Sequence, residues 1–169
     1  MKTIKVVSIV ILAIFGIILA AFIVAGLTIP AEKSFTNTVE INKPPDRVWQ
    51  VLIDRDKFPE WQPNVSKVEV IDYQNWVEYP KDAPEPLKFH LAKDLRPKAM
   101  GFDYTMGDSF TGTWDGSVTT TATGTQLKTI DAYKAKGWVT KILMYMFFDF
   151  DKFAQDWNSK LKQRVESLD

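Results

Sequence analysis

The chain has no cysteine and a single histidine, His90, among its 169 residues. The missing cysteines remove disulfides, thiolate catalysis and Cys-ligated zinc together. An excess of either charge is missing too, because 21 basic residues face 21 acidic ones. Lys2 and Lys5 precede a long apolar run and no acid does, so the rest of the chain is acidic by two. A nucleic-acid binder would carry a basic footprint, and no nucleic-acid partner is expected. H-E-x-x-H, G-x-S-x-G, P-loop and G-x-G-x-x-G patterns are absent. Neither a cofactor nor a metal is expected, and the balance leans against an enzyme.

What is present begins with Val6–Leu27, 22 residues with one polar side chain, Ser8, and no charge. At about 1.5 Å per helical residue the run reaches roughly 33 Å, enough to cross a hydrocarbon core. A cleaved signal peptide is the competing reading. Its apolar region is typically about 7–15 residues and ends in A-x-A spacing, and no clean A-x-A precedes Ala31. The run is therefore read as a retained, single-pass anchor. Lys2 and Lys5 sit tight against it and Lys33 alone follows closely, which favours a cytoplasmic N-terminus and an extracytoplasmic domain. The division is residues 1–29 for tail and anchor and residues 30–169 for one domain, a common single-domain size.

From Phe35 the sequence alternates to Ile41, then meets Asn42-Lys43-Pro44-Pro45 and Val48-Trp49. Asn42 is expected to cap a first short helix, with the prolines in its first turn. Pro59 is expected to stop a second short helix, leaving Trp61 as a wedge. Strands follow at Val65–Tyr73, Trp76–Tyr79, Leu87–Lys93, Met100–Met106, Phe110–Thr119 and Leu127–Tyr133, an antiparallel meander. Apolar residues at Ile142, Met146, Phe150, Phe153, Trp157, Leu161, Val165 and Leu168 form one helical stripe over the last region. Its first half, Trp138–Phe150, is apolar nearly all round. The plainer expectation is a helix or turn buried under loops, and the sharper one is a greasy lid or a surface resting on a membrane.

Pro44-Pro45, Val48-Trp49, Leu52, Asp54 and Phe58-Pro59-Glu60-Trp61 resemble the START-like superfamily of helix-grip proteins. The nearest branch is the bacterial polyketide cyclase/dehydrase-like one. Gly124-Thr125-Gln126-Leu127 is similar to that family's lead into its last strand, and the closing helix through Glu166 also matches. The resemblance covers roughly Phe35 to Glu166. It implies an α+β helix-grip fold, a curved antiparallel sheet wrapped around a long C-terminal helix. It says little of function, because the fold carries many unrelated activities.

A sheet gripping a helix leaves a gap, and such gaps are usual ligand sites. The expected ligand-binding residues are Trp61, Phe89, Leu91, Phe102, Tyr104, Trp114, Phe150 and Trp157. Close packing of a core would call for most of them as well. Gly112 and Gly116 hint at space beside the Trp114 ring. Asp103 and Asp131 are candidate buried acids, with Asp103 out of phase with Phe102 and Tyr104, and no carboxylate pair can be placed. His90 shares the face of Lys88, where a solvated strand histidine is expected. Three function classes stay open. They are a membrane-tethered module for a hydrophobic small molecule or lipid, an interaction domain with a filled core, and an enzyme acting on a polyketide-like substrate. A protein partner is not specified.

Overall fold

The computed structural model describes residues 2–83 and 85–168. An N-terminal helix, α1 (Lys2–Thr28), is long and apolar enough to cross a membrane, and almost none of its surface is covered by the rest of the chain. Strand β1 (Glu32–Ile41) leads to α2 (Pro45–Ile53), a 3-10 turn (Arg55–Lys57) and α3 (Phe58–Trp61). Six strands follow: β2 (Val65–Val70), β3 (Asn75–Pro80), β4 (Leu87–Leu95), β5 (Ala99–Met106), β6 (Phe110–Thr120) and β7 (Thr125–Ala135). Two helices, α4 (Trp138–Phe147) and α5 (Phe150–Ser167), close the chain.

The strands make one antiparallel sheet in the order β1-β7-β6-β5-β4-β3-β2. Strands β2 to β7 pair in sequence, and β1 lies along the far edge of β7. α5 crosses the inner face on the β1 side, where α2 and α3 also meet it. This is the helix-grip arrangement.

Local details differ from the sequence reading. Pro44, not Asn42, stands at the N-cap of α2 and provides no side-chain cap. The Asn42 N–H instead donates to Glu166 Oε1 at 2.8 Å, tying the strand end to α5. Pro59 lies in the first turn of α3 and does not stop it, as its missing N–H permits. The last region is two helices, because the chain breaks at Phe148-Asp149. The Asp149 carboxylate accepts from the Lys152 N–H at 3.0 Å and starts α5 afresh. The single stripe is thereby corrected. The buried face of α5 is Ala154, Asn158, Leu161 and Val165, while Phe153 and Met146 are exposed and Trp157 is only partly buried. The expectation of a covered first helix fails as well. Of α4 only Ile142 is buried, and Trp138, Val139, Leu143, Tyr145, Met146 and Phe147 face outward. Gly137, at a φ of 79°, makes the turn from β7 into α4, a conformation open to glycine at no steric cost.

The tightest packing lies where β1 and β7 meet α2 and the C-terminal half of α5. Ile41, Val48, Leu52, Leu127, Leu161 and Val165 are no more than 2% exposed there. Trp49 joins them, its Nε1–H donating to the Pro97 carbonyl at 2.8 Å. Trp49→Ala is expected to cost about 3–5 kcal/mol. Trp157→Ala should cost clearly less, and His90→Ala should stay within about 0.5 kcal/mol. Denaturant melts of the detergent-solubilised full chain check the order, and equal losses at Trp49 and His90 would contradict this placement of the core.

Candidate functional site

Strand register builds the inner wall in rows. Trp76 stands opposite Phe89, Phe89 opposite Tyr104, Tyr104 opposite Gly112, and Gly112 opposite Tyr133. The adjacent row runs Leu91, Phe102, Trp114 and Asp131. Because strand side chains alternate in direction, all of these share one face. A Cβ on Gly112 would come within 2.2 Å of the Tyr104 ring, and one on Gly116 within 2.3 Å of the Trp114 ring. The space that these glycines leave is therefore occupied by the chain's own rings.

The rings join into one connected surface. Trp76 stacks on Phe89 at 4.9 Å, and Phe102 stacks on Trp114 at 4.7 Å. Phe89 meets Phe102 edge-on at 5.6 Å and Tyr104 at 5.4 Å. Trp114 reaches Trp157 on α5 at 6.0 Å, and Trp157 reaches Trp61 on α3 at 5.6 Å. Aromatic pairs at such separations add to their area burial. Six of the eight expected residues thus lie in one chain of rings, with Leu91 buried in the same core. Phe150 stands apart. It stacks on Tyr133 at 3.7 Å and connects to Tyr104 only through Phe110. Leu91 and Trp114 are buried, whereas Trp61, Phe89, Phe102, Tyr104, Phe150 and Trp157 remain half-buried.

Polar groups interrupt this wall at two places. Near α5, the Asn158 Nδ2 donates to Thr129 Oγ1 at 2.9 Å. Asn158 Oδ1 and Asn37 Nδ2 are buried there without a protein partner. Asp131 belongs to the same stretch of β7. Burial pushes its carboxyl up to about 6, against a hydrogen bond from Thr129 that pulls it down. Burial, aided by the Asp131 charge, also pushes the Tyr104 hydroxyl well above its ordinary range. At the β3 end, Trp76 Nε1–H donates to Glu78 Oε1 at 2.9 Å. Arg55 lies 3.8 Å above the Trp76 ring and donates Nη1–H to the Tyr73 carbonyl at 2.7 Å. Burial pushes Glu78 up to about 7 and lowers Arg55, each partly opposed by the other's charge. Trp61 Nε1 and Gln62 Nε2 are buried close by in sequence without a protein partner.

The outer face of the sheet holds a cavity of about 620 Å³. Phe89, Tyr104, Gly112 and Tyr133 of the inner row touch it, but most of its lining is the opposite set of positions, with Asn75, Lys88, His90, Asp103, Thr105 and Thr113 among them. His90 Nδ1 lies 2.9 Å from Asn75 Oδ1 on this solvated side, and Asp103 shares the face. The acid that turns inward is Asp131. Its signal was the strand phase, since Leu127, Thr129, Asp131 and Tyr133 alternate together. Glu78 carried the same signal beside Trp76. Arg55 carried none, because turn arginines are ordinarily solvated.

The profile of the polyketide cyclase / dehydrase and lipid transport family matches residues 32–166. A START superfamily protein from Mycobacterium smegmatis superposes with a TM-score of 0.62 at 15% identity, covering 80% of this chain and 99% of its own. The Zhui aromatase/cyclase from Streptomyces sp. R1128 gives 0.62 at 18% identity, covering 80% and 94%. A conserved protein from Geobacillus kaustophilus gives 0.66 at 14% identity, covering 79% and 95%. At these identities the likeness concerns the fold. No curated protein sequence matches this chain.

The buried acids set a pH dependence. Glu78 is neutral in both folded and unfolded chain below its ordinary 4.5 and ionised in both above about 7. Between these values folding opposes ionisation, so stability falls as pH rises from about 4.5 to about 7. Asp131 acts with the same sign from 3.8 up to about 6. Glu78→Gln keeps an acceptor for the Trp76 indole and should flatten much of the slope. Denaturation midpoints at pH 5 and pH 8 compare the two, and an unchanged slope in the variant would clear Glu78 of the effect.

Proposed function

We propose a ligand-binding role, and its premise is membership: this chain belongs to the polyketide cyclase / dehydrase and lipid transport family. In this reading the domain holds a hydrophobic small molecule or lipid between the inner face of the sheet and α5, and α1 anchors it in a membrane. The observation that supports it is the incomplete cover of the inner wall. α5 packs on β1, while the rings of β4, β5, α3 and its own Trp157 stay half-buried along a connected aromatic surface. Apolar lining with a few placed polar groups is the chemistry of a small-molecule site. Tyr104 and Asp131 supply a hydroxyl and an acid, and Asn158 Oδ1 a free acceptor.

Native mass spectrometry of the detergent-extracted full chain is expected to show a co-purifying small molecule. A fluorescent fatty-acid or aromatic probe should bind the wild type. Tyr104→Phe should leave stability almost unchanged and weaken a hydrogen-bonded ligand by up to roughly tenfold, the worth of about 0.5–1.5 kcal/mol. Trp114→Ala should shift the preference for ligand size. If the wild type carries nothing and binds no probe, the core is filled and the interaction-domain reading replaces this one.

The anchor has its own test. Intact-mass measurement should find the chain uncleaved within Val6–Leu27, and protease treatment of intact cells should remove the domain. A mature chain beginning after Ala25 would sink the anchor, and a fully protected domain would reverse the orientation.

A further inference from the structure

We infer that α4 and the turn after it form an in-plane surface seated on the bilayer that α1 crosses, so that the cavity beneath this surface opens to lipid. The inference rests on the anchored reading proposed above. Its motive is a helix with the wrong surface for water. An exposed helix of a globular domain is polar on its outer side. In α4 the outward residues are Trp138, Val139, Leu143, Tyr145, Met146 and Phe147, with Phe147 76% exposed. The patch continues past the helix through Phe148 and Phe153, and contiguous apolar surface of this kind marks an interaction site.

The occupant follows from what the patch touches. α4 meets α1 near its C-terminal end, where a Cβ on Gly26 would lie 3.5 Å from the Trp138 ring and 3.8 Å from Ile142. Lys141 Nζ donates to the Gly26 carbonyl at 2.6 Å. Gly26 is two residues from the end of α1, a rise of about 3 Å. The apolar surfaces of α1 and α4 are therefore continuous, and the lipid that solvates the end of one reaches the other. At ten residues α4 spans about 15 Å, too short to cross a bilayer, so it lies along the interface. Its composition fits that depth. Trp138 and Tyr145 are amphipathic rings of the interfacial type, and Lys33 holds its ammonium 4.7 Å over the Tyr145 ring, a basic group on the same side.

Beneath this surface lies a cavity of about 440 Å³, lined by Lys33, Phe35, Tyr133, Tyr145, Phe148 and Phe150 among others, with Asp149 as its acidic member. Phe150 and Tyr133 stack at its inner side and begin the ring chain that leads to Tyr104. A hydrophobic ligand entering this cavity from the lipid phase would meet those two rings first.

The chain has no cysteine, so a single introduced one takes an environment-sensitive fluorophore alone. Phe147→Cys and Met146→Cys report the surface, Phe15→Cys reports α1, and Thr113→Cys reports the outer sheet face. Each labelled full chain is reconstituted in phosphatidylcholine vesicles carrying a nitroxide either near the headgroup or deep in the acyl chain. The labels at 146 and 147 are expected to shift to the blue and lose emission most to the shallow nitroxide. The label at 15 should respond most to the deep one, and the label at 113 to neither. A label at 147 in water while that at 15 is embedded overturns the inference and leaves the anchor standing. A label at 147 that is shielded but not quenched by lipid nitroxide also overturns it, since a protein or a second copy then covers the patch. A label at 15 in water overturns both readings.

Discussion

One helix cannot cover seven strands. Strands lie about 4.8 Å apart, so the sheet measures nearly 30 Å from edge to edge, while a helix with its side chains is about 10–12 Å across. α5 settles on β1 at one side, and the inner face of β3 to β6 must be covered by other means. The chain answers with large rings that lean on one another: Trp76 on Phe89, Phe102 on Trp114, and Trp114 toward Trp157. Where that self-covering is complete, as at Trp76 and Trp114, the residues are buried. Where it stops, at Phe89, Phe102 and Tyr104, they stay partly open. The wall is thus a consequence of an area mismatch, and its aromatic content is what makes the mismatch tolerable in water.

The same mismatch governs the charges. Burying an ionised group costs far more than burying an apolar one, and a fully covered interior would have excluded Asp131, Glu78 and Arg55. Asp131 is only partly covered, whereas Glu78 and Arg55 are buried and persist through partners. Glu78 keeps one hydrogen bond from the Trp76 indole N–H, and Arg55 lays its guanidinium over the face of the same indole. An arginine is suited to this because its planar, weakly hydrated group stacks on aromatic rings. Asp131 lies beside Thr129, which Asn158 also contacts, a polar seam along the line where α5 meets β7 and β1. The seam costs packing energy that Leu or Val in those places would have recovered.

Much of the fold was legible because its signals are local. Alternation marked the strands, Pro44-Pro45 marked the turn into α2, and the family motifs spanned most of the domain. The errors about burial came from reading apolarity as burial. Phe153 and Met146 outrank Ala154 and Asn158 on any hydrophobic scale, yet α5 turns the smaller pair toward the sheet. A small residue lets the helix approach β1 closely, and Asn158 spends its amide on Thr129. The stripe drawn from Ile142 to Leu168 also assumed one continuous helix, and the cap at Asp149 resets the phase. Phe89, Phe102, Tyr104 and Trp114 were legible from strand phase and Trp76 was missed, while membership in a wall was not legible, because that depends on which strands α5 leaves uncovered.

The link between α1 and β1 decides how the open end of the grip is presented. α1 ends at Thr28 and β1 begins at Glu32, and Ala31 is already fixed, its carbonyl accepting from the Ala135 N–H at 2.8 Å. The end of β7 and the start of β1 therefore sit together at the foot of the first helix. Antiparallel order then places the start of β4, the end of β5 and the start of β6 at that same end of the sheet. Phe110 and Phe150 lie there, whereas the tight apolar packing around Val165 and Leu52 lies at the opposite end. A loose tether would let the domain present any side to its surroundings. Three connecting residues do not, so on the proposed anchored arrangement the short link and the contact of α4 with the end of α1 together hold the less tightly packed end of the fold toward the bilayer.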